Sequence, residues 1–203
     1  MELADFKAQD SIILLRPLIP EDQPYYHRIR LQHSMIYRIA CDSSDDNGLS
    51  FFRKDVLREN VFFCAVIAQK GDAFIGYLGV HDLEKPVWEI AIELDKEYCH
   101  QGYGSRALPL FLNELYQATG HAEYRARVDA DNVASQGCFE KIGASLAGIC
   151  NEIILSSNYE KERMEKEFSH LIDDQIIALA ARLGVEPQKL LSHVLEYRLT
   201  CPI

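Results

Sequence analysis

The chain is short of positive charge. Its 203 residues hold 21 lysines and arginines against 31 aspartates and glutamates, a formal net charge of −10. An acidic surface repels phosphate backbones, which disfavours nucleic acid as a partner, and it suits a cationic acceptor such as an amine. Long apolar runs are missing too. No stretch approaches the roughly 18 residues a transmembrane helix needs, so no membrane association is expected. Residues 1–10 carry three acids and no apolar segment, unlike a signal peptide. None of the six cysteines (Cys41, Cys64, Cys99, Cys138, Cys150, Cys201) sits in a CxxC pair or beside a histidine at zinc spacing. They read as reduced cysteines of a cytoplasmic protein, and no metal is expected. The aspartates of CDSSDDNGLS (41–50) lack calcium-loop spacing and a closing glutamate, which leaves an Asx-rich turn. There is no internal repeat.

What is present alternates between strands and helices. Residues 11–18 read as a strand and 21–31 as a helix with acids in its first turn. Residues 51–60 look helical. VFFCAVIAQ (61–69) is a buried strand, joined through Lys70-Gly71-Asp72 to a second strand, 73–81, in a hairpin. WEIAIEL (88–94) is a further strand. Residues 106–119 form an amphipathic helix ended by Gly120, and a strand (122–129), a helix (132–142) and a strand (146–155) follow.

The chemical signal lies after the strand 88–94, where Gln101-Gly102-Tyr103-Gly104-Ser105 opens straight into a helix. Glycines let a backbone approach a ligand with no Cβ between them. The N–H groups and positive dipole end of a helix N-terminus form an anion site that fits a pyrophosphate. This is not a Walker loop, because no Gly-Lys-Ser/Thr follows, and it lacks the third glycine of the dinucleotide fingerprint.

The surrounding sequence is similar to a known family. EIAIELDKEYCHQGYGSRAL (89–108) resembles the acetyl-CoA motif of the GNAT N-acetyltransferases, above all the ribosomal-protein alanine N-acetyltransferase branch. VDADNVASQGCFEKIGA (128–144) resembles that family's later helix through Asn132, Ser135, Glu140, Lys141 and Gly143. LLRPLIPEDQPYY (14–26) resembles its opening strand and helix. The resemblance implies an α/β (mixed α+β) acyl-CoA N-acyltransferase fold: a central mixed, mostly antiparallel sheet flanked by helices. It also implies acetyl-CoA as co-substrate, direct attack by an amine in a ternary complex, and an acceptor that is a small-molecule amine or a protein or peptide N-terminus.

Site residues follow from that resemblance. Leu94, Cys99, His100, Gln101, Gly102, Tyr103, Gly104, Ser105 and Asn132 are implied as the cofactor-binding set. The main-chain N–H near Leu94 would face the thioester oxygen. Asn132 would bond the pantetheine arm or a strand carbonyl, and an N-cap serves equally. The amine must lose a proton before it attacks, and Glu89 and Glu93 are the candidate bases. Four apart in a regular strand, they share a face; a bulge in the family's strand would break that parity. Cys99 stands where the family has Arg or Gln. Phe139 takes the place of a tyrosine general acid, leaving Ser135 and Tyr103 as alternative proton donors. His81, His100 and His121 read as surface or structural residues.

From residue 156 the texture changes. The charged run KERMEKEF (161–168) replaces an expected last strand. Apolar residues then recur at helical spacing from Phe168 to Leu183, Gly184 stops the helix, and Pro187 starts a second. The expected organisation is an acetyltransferase domain at 11–155 and a C-terminal helical extension at 156–203. The extension would pack on that body or on a second subunit as a homodimer contact. VLEYRLTC (194–201) also alternates enough to supply the missing strand. Two other readings stand beside the enzyme. One is an acyl-CoA-binding module without catalysis. The other is a regulator using ALAARLGVEPQKLLSHVL (178–195) as a helix-turn-helix, which its few cations oppose.

Overall fold

The computed structural model describes residues 3–33, 37, 41, 48–151 and 157–203. Most of the Asx-rich loop and the end of the strand expected at 146–155 lie outside the described residues. The sheet is mostly antiparallel and flanked by helices, as the family resemblance implies. The chain forms two compact units, residues 1–124 with 200–203 and residues 125–199.

The first unit is built on strands in the order β1 (Ala8–Gln9), β2 (Ile13–Pro17), β3 (Val61–Ala68), β4 (Ala73–His81) and β5 (Trp88–Leu94), each antiparallel to the next. The hairpin between β3 and β4 turns through positive φ at Gly71 and Asp72 (85° and 50°), the geometry that matches strand twist. β3 is buried along its whole length, as a strand covered on both faces must be. One face of the sheet carries Phe63, Ala65, Ile67 and Tyr77. It packs with Tyr26 and Ile29 of α1 (Gln23–His33) and Phe52 and Val56 of α2 (Leu49–Val56). On the opposite face Phe62 stacks on Phe111 of α3 (Tyr103–Thr119), with ring centroids 6.1 Å apart. Gly120 ends α3 in the left-handed conformation, φ 73°, and its N–H bonds the Tyr116 carbonyl.

In the second unit, most of β6 (Glu123–Val128), then β8 (His193–Thr200) and β7 (Ser145–Asn151), lie side by side in that order. α4 (Val133–Lys141) precedes β7. α5 (Asn158–Glu167), α6 (Asp174–Leu183) and a short 3-10 helix (Pro187–Leu191) stand between β7 and β8. The helical expectation for 156–203 therefore holds to Leu191 and gives way beyond it. Residues 193–200 are a strand antiparallel to β7, from Ser145↔Arg198 to Asn151↔His193. The reason is alternation: Leu195, Tyr197 and Leu199 are buried while Arg198 and Thr200 are exposed, a period of two that a helix cannot satisfy. The missing last strand is thus present, set later in the chain by the helical segment before it.

Candidate active site

β5 gathers the expected residues of the first unit. Its pairing with β4 runs without a register shift from Gly76↔Leu94 to His81↔Glu89. Residues 89, 91 and 93 therefore share one face with their partners 81, 79 and 77, and the parity expected for the two glutamates holds. This is also the α1 and α2 face, because Ala91 packs against that core cluster.

Glu93 has both carboxylate oxygens engaged. Arg30 Nη1 donates to Oε1 at 2.5 Å and Tyr77 Oη donates to Oε2 at 2.6 Å. Burial, with the Glu93 charge beside it, raises the Tyr77 pKa well above its usual value, so the phenol remains a donor. Burial works against the Arg30 charge, but Glu93 and the neighbouring tyrosines outweigh it and raise the guanidinium's pKa. Glu89 is buried, 9% exposed, and faces His81 across the ladder. Burial lowers the His81 pKa; Glu89 pulls it up, and Arg58 pulls it down again.

The end of β5 is held by the last turns of α1. Arg28 pairs with Asp95 at 2.8 Å. Gln32 Nε2 donates to Asp95 Oδ1 at 3.3 Å, and the Lys96 N–H donates to Gln32 Oε1 at 2.9 Å. His33 Nε2 donates to the Leu94 carbonyl at 2.7 Å, which fixes the proton on that nitrogen. Arg28 and Gln32 stand one helical turn apart, so both reach Asp95. The Asp95 N–H bonds the Ile75 carbonyl at 2.9 Å. In the alternation of an antiparallel ladder the Leu94 N–H then points away from β4, where a donor to a ligand would have to be.

Beyond Asp95 the backbone winds through a 3-10 turn (Lys96–Tyr98), capped by Asp95 accepting from the Glu97 N–H at 3.2 Å. His100 and Gly102 then take positive φ, 59° and 84°. Where left-handed residues alternate with right-handed ones, successive N–H groups can converge on an anion. Gly102 is the N-cap of α3 and brings no side chain to it, so the first-turn N–H groups point out of the helix end. A Cβ built on Gly102 meets no atom within 4 Å, and the space over the turn is open to a ligand. Tyr98 and Tyr103 meet edge to face beside it, 5.9 Å apart. Gln101 Nε2 donates to the Glu97 carbonyl at 2.5 Å. Burial and the nearby Asp95 raise the Cys99 pKa, and its Sγ lies 3.6 Å from the Asp95 carbonyl.

Asn132 and Ser135 belong to the second unit. Asn132 caps α4, its Oδ1 accepting from the Ser135 N–H at 3.0 Å. Phe139 is buried and stacks on Tyr197, with centroids 6.4 Å apart. Reading the sequence missed Arg28, Arg30, Gln32, His33, Tyr77 and Asp95. The signal for the four on α1 was the polar cluster at its end. His121, expected to be structural, stacks on Trp88 at 3.8 Å.

Residues 13–145 match the family model of the acetyltransferase (GNAT) domain. The chain belongs to the GNAT acetyltransferases. It is an acetyl-CoA-dependent N-acetyltransferase. Members of this family use acetyl-CoA and act on amine acceptors. Solved structures share the fold at low identity. A GNAT-family acetyltransferase from Bacillus anthracis is 15% identical with a TM-score of 0.64, covering 96% of this chain and 98% of its own. The dodecameric spermidine N-acetyltransferase from Vibrio cholerae is 13% identical, TM-score 0.64, covering 94% and 95%. RimJ from Mycobacterium smegmatis, in complex with CoA-disulfide, is 13% identical, TM-score 0.62, covering 97% and 86%. No curated protein matches the sequence. Among the described residues no helix is long and apolar enough to cross a membrane, and no cluster of His, Cys, Asp or Glu could hold a metal.

Proposed function

We propose that this acetyltransferase holds the pyrophosphate of acetyl-CoA on the turn 99–105 and deprotonates a primary amine with Glu89. The observation that carries the first part is the turn with left-handed His100 and Gly102 at the N-terminus of α3, with open space above Gly102. A pyrophosphate there meets N–H donors and the positive end of the helix dipole. The cofactor would run back along β5, where the Leu94 N–H supports the thioester oxygen as negative charge develops.

The choice between the two glutamates rests on their surroundings. Glu93 is committed to Arg30 and Tyr77, which suits a residue that fixes α1 on the sheet. Glu89 lies on the same face, buried and directly across the ladder from His81. As base it takes a proton from the acceptor ammonium. The free amine attacks the thioester carbonyl, the C–N bond forms, the C–S bond breaks, and the CoA thiolate is protonated as the amide forms. The acceptor is a small-molecule amine or a peptide N-terminus, a class the acidic chain favours by charge.

Isothermal calorimetry tests the cofactor seat. CoA should bind with micromolar affinity, on the order of −8 kcal/mol. Gly102→Val and Gly104→Val, each checked for folding, should weaken it. Undiminished binding in both variants would remove the turn from the site. Glu89→Gln should lower kcat about 10²–10⁴-fold with CoA binding intact. Full turnover in that variant would exclude Glu89 as base.

A further inference from the structure

A buried base must pass its proton on before the next turnover. Glu89 is 9% exposed. Directly across the ladder stands His81, the last residue of β4 and only half-buried. The bond from the Asp95 N–H to Ile75 sets the ladder's phase, so residues 81 and 89 form a hydrogen-bonded pair, with Cα atoms about 5.5 Å apart and side chains on one face. His81 is fixed laterally. Phe63 meets its ring edge to face at 4.9 Å, and Arg58 Nη2 lies 3.4 Å from Nδ1.

We propose that His81 carries the proton from Glu89 to solvent, making the pair a relay for the acetyl-transfer reaction; this rests on the reading of Glu89 as the base. Per turnover, Glu89 accepts one proton from the acceptor ammonium, His81 accepts it from Glu89, and the imidazolium gives it to water. Net, an ammonium and acetyl-CoA become an amide, CoA thiol and one released proton. His81 touches neither cofactor nor acceptor in this scheme; it is a positioning and relay residue.

The surroundings suit both protonation states. Burial and Arg58 favour the neutral ring between turnovers, while Glu89 on β5, Asp55 on α2 and the adjacent Asp82 stabilise the imidazolium once it forms. A histidine held this way returns to the neutral, proton-accepting state at neutral pH.

Two measurements on the full chain decide the matter. The first needs no acceptor: an NMR titration of the His81 imidazole in the native protein and in Glu89→Gln. The relay requires the His81 pKa to fall in the variant, because the anion across the ladder is gone. An unchanged titration overturns the coupling. The second is steady-state acetyl transfer by His81→Gln and His81→Ala, with melting curves to establish folding and spermidine and a peptide with a free N-terminus as acceptors. The expected result is a kcat loss of about 10²-fold, the lower range for proton-transfer groups. KM for acetyl-CoA should hold, the acidic limb of the pH profile should move, and added imidazole should partly rescue His81→Ala. If both His81 variants keep full rate while Glu89→Gln is inactive, the relay is wrong and the base stands. If Glu89→Gln is also fully active, the underlying reading fails as well.

Discussion

At the scale of single residues, Glu89 and Glu93 show what a strand pattern reveals and what it hides. Their spacing placed both on one face, and the ladder with β4 keeps it so. The pattern could not say which carboxylate is bound elsewhere, because Arg30 and Tyr77 reach Glu93 from 63 and 16 positions away in the chain. Removing one member of a charge pair leaves the other poorly compensated, which costs more than the pair's own worth. The side chains of Arg30 and Glu93 are 28% and 21% exposed, so water moderates that cost. Arg30→Met should lower unfolding stability by about 1–3 kcal/mol, the usual penalty for an orphaned hydrogen-bonding group. A double-mutant cycle with Glu93→Gln should return a coupling of about 0.5–3 kcal/mol in urea titrations. Additive losses in that cycle would mean the contact does not hold α1 to the sheet in solution.

At the scale of elements, the close approach of β4 and β5 depends on a missing side chain. A Cβ on Gly76 would lie 2.6 Å from the Glu93 carbonyl oxygen and 2.5 Å from a methyl of Leu94. Backbone cannot retreat there without opening the ladder, so Gly76→Ala should lower the melting temperature and weaken CoA binding together. Calorimetric melting beside CoA titration checks both, and a variant with unchanged Tm would show that β5 has slack. Asn132 makes a milder case. Its side chain caps α4, and Asn132→Ala should cost about 1 kcal/mol by loss of the cap alone. The short β1 was not read; most elements from β2 to β7 were legible because they carried a clean period or a glycine stop, Gly120 among them. β8 was not. Leu190, Leu191, Val194 and Leu195 fall at helical spacing after Pro187 and compete with the alternation of Leu195, Tyr197 and Leu199. The alternation wins because β7 offers Ser145 to Asn151 as a partner, and pairing at such range leaves no mark in a local window.

At the scale of the whole molecule, acid should loosen the fold in two stages. Burial lowers the His81 pKa, so the unfolded chain binds a proton at higher pH than the folded one, and stability falls once pH drops below about 6.5. Burial raises the pKa of Asp10 and Glu165, but hydrogen bonds outweigh it: Ile13 and Arg106 hold Asp10 below its usual value, and Ser192 and Lys189 hold Glu165 below its own. Their contribution is present above the ordinary carboxylate range and is lost as pH falls through it. Urea midpoints from pH 8 to 3 should show both stages, and His81→Gln should erase the upper one. The helical segment before β8 gives the last test. Its ties are largely its own: Glu165 Oε1 accepts from Ser192 Oγ at 2.5 Å and from Lys189 Nζ at 3.0 Å. Its ion pair to α4, Arg182 with Glu140 at 3.8 Å, is long and exposed, worth no more than about 1 kcal/mol. Asn151 pairs with His193, so β7 and β8 would form a plain hairpin if an Asn-Gly turn replaced residues 152–192. That variant should fold and bind CoA, with a lower Tm for the lost packing of Ile176 and Ala180. Truncation after residue 156 should instead unfold the second unit, because it removes β8 and with it the buried Leu195, Tyr197 and Leu199. If the hairpin variant is as unfolded as the truncation, the helices are part of the second unit's core and not an insertion into it.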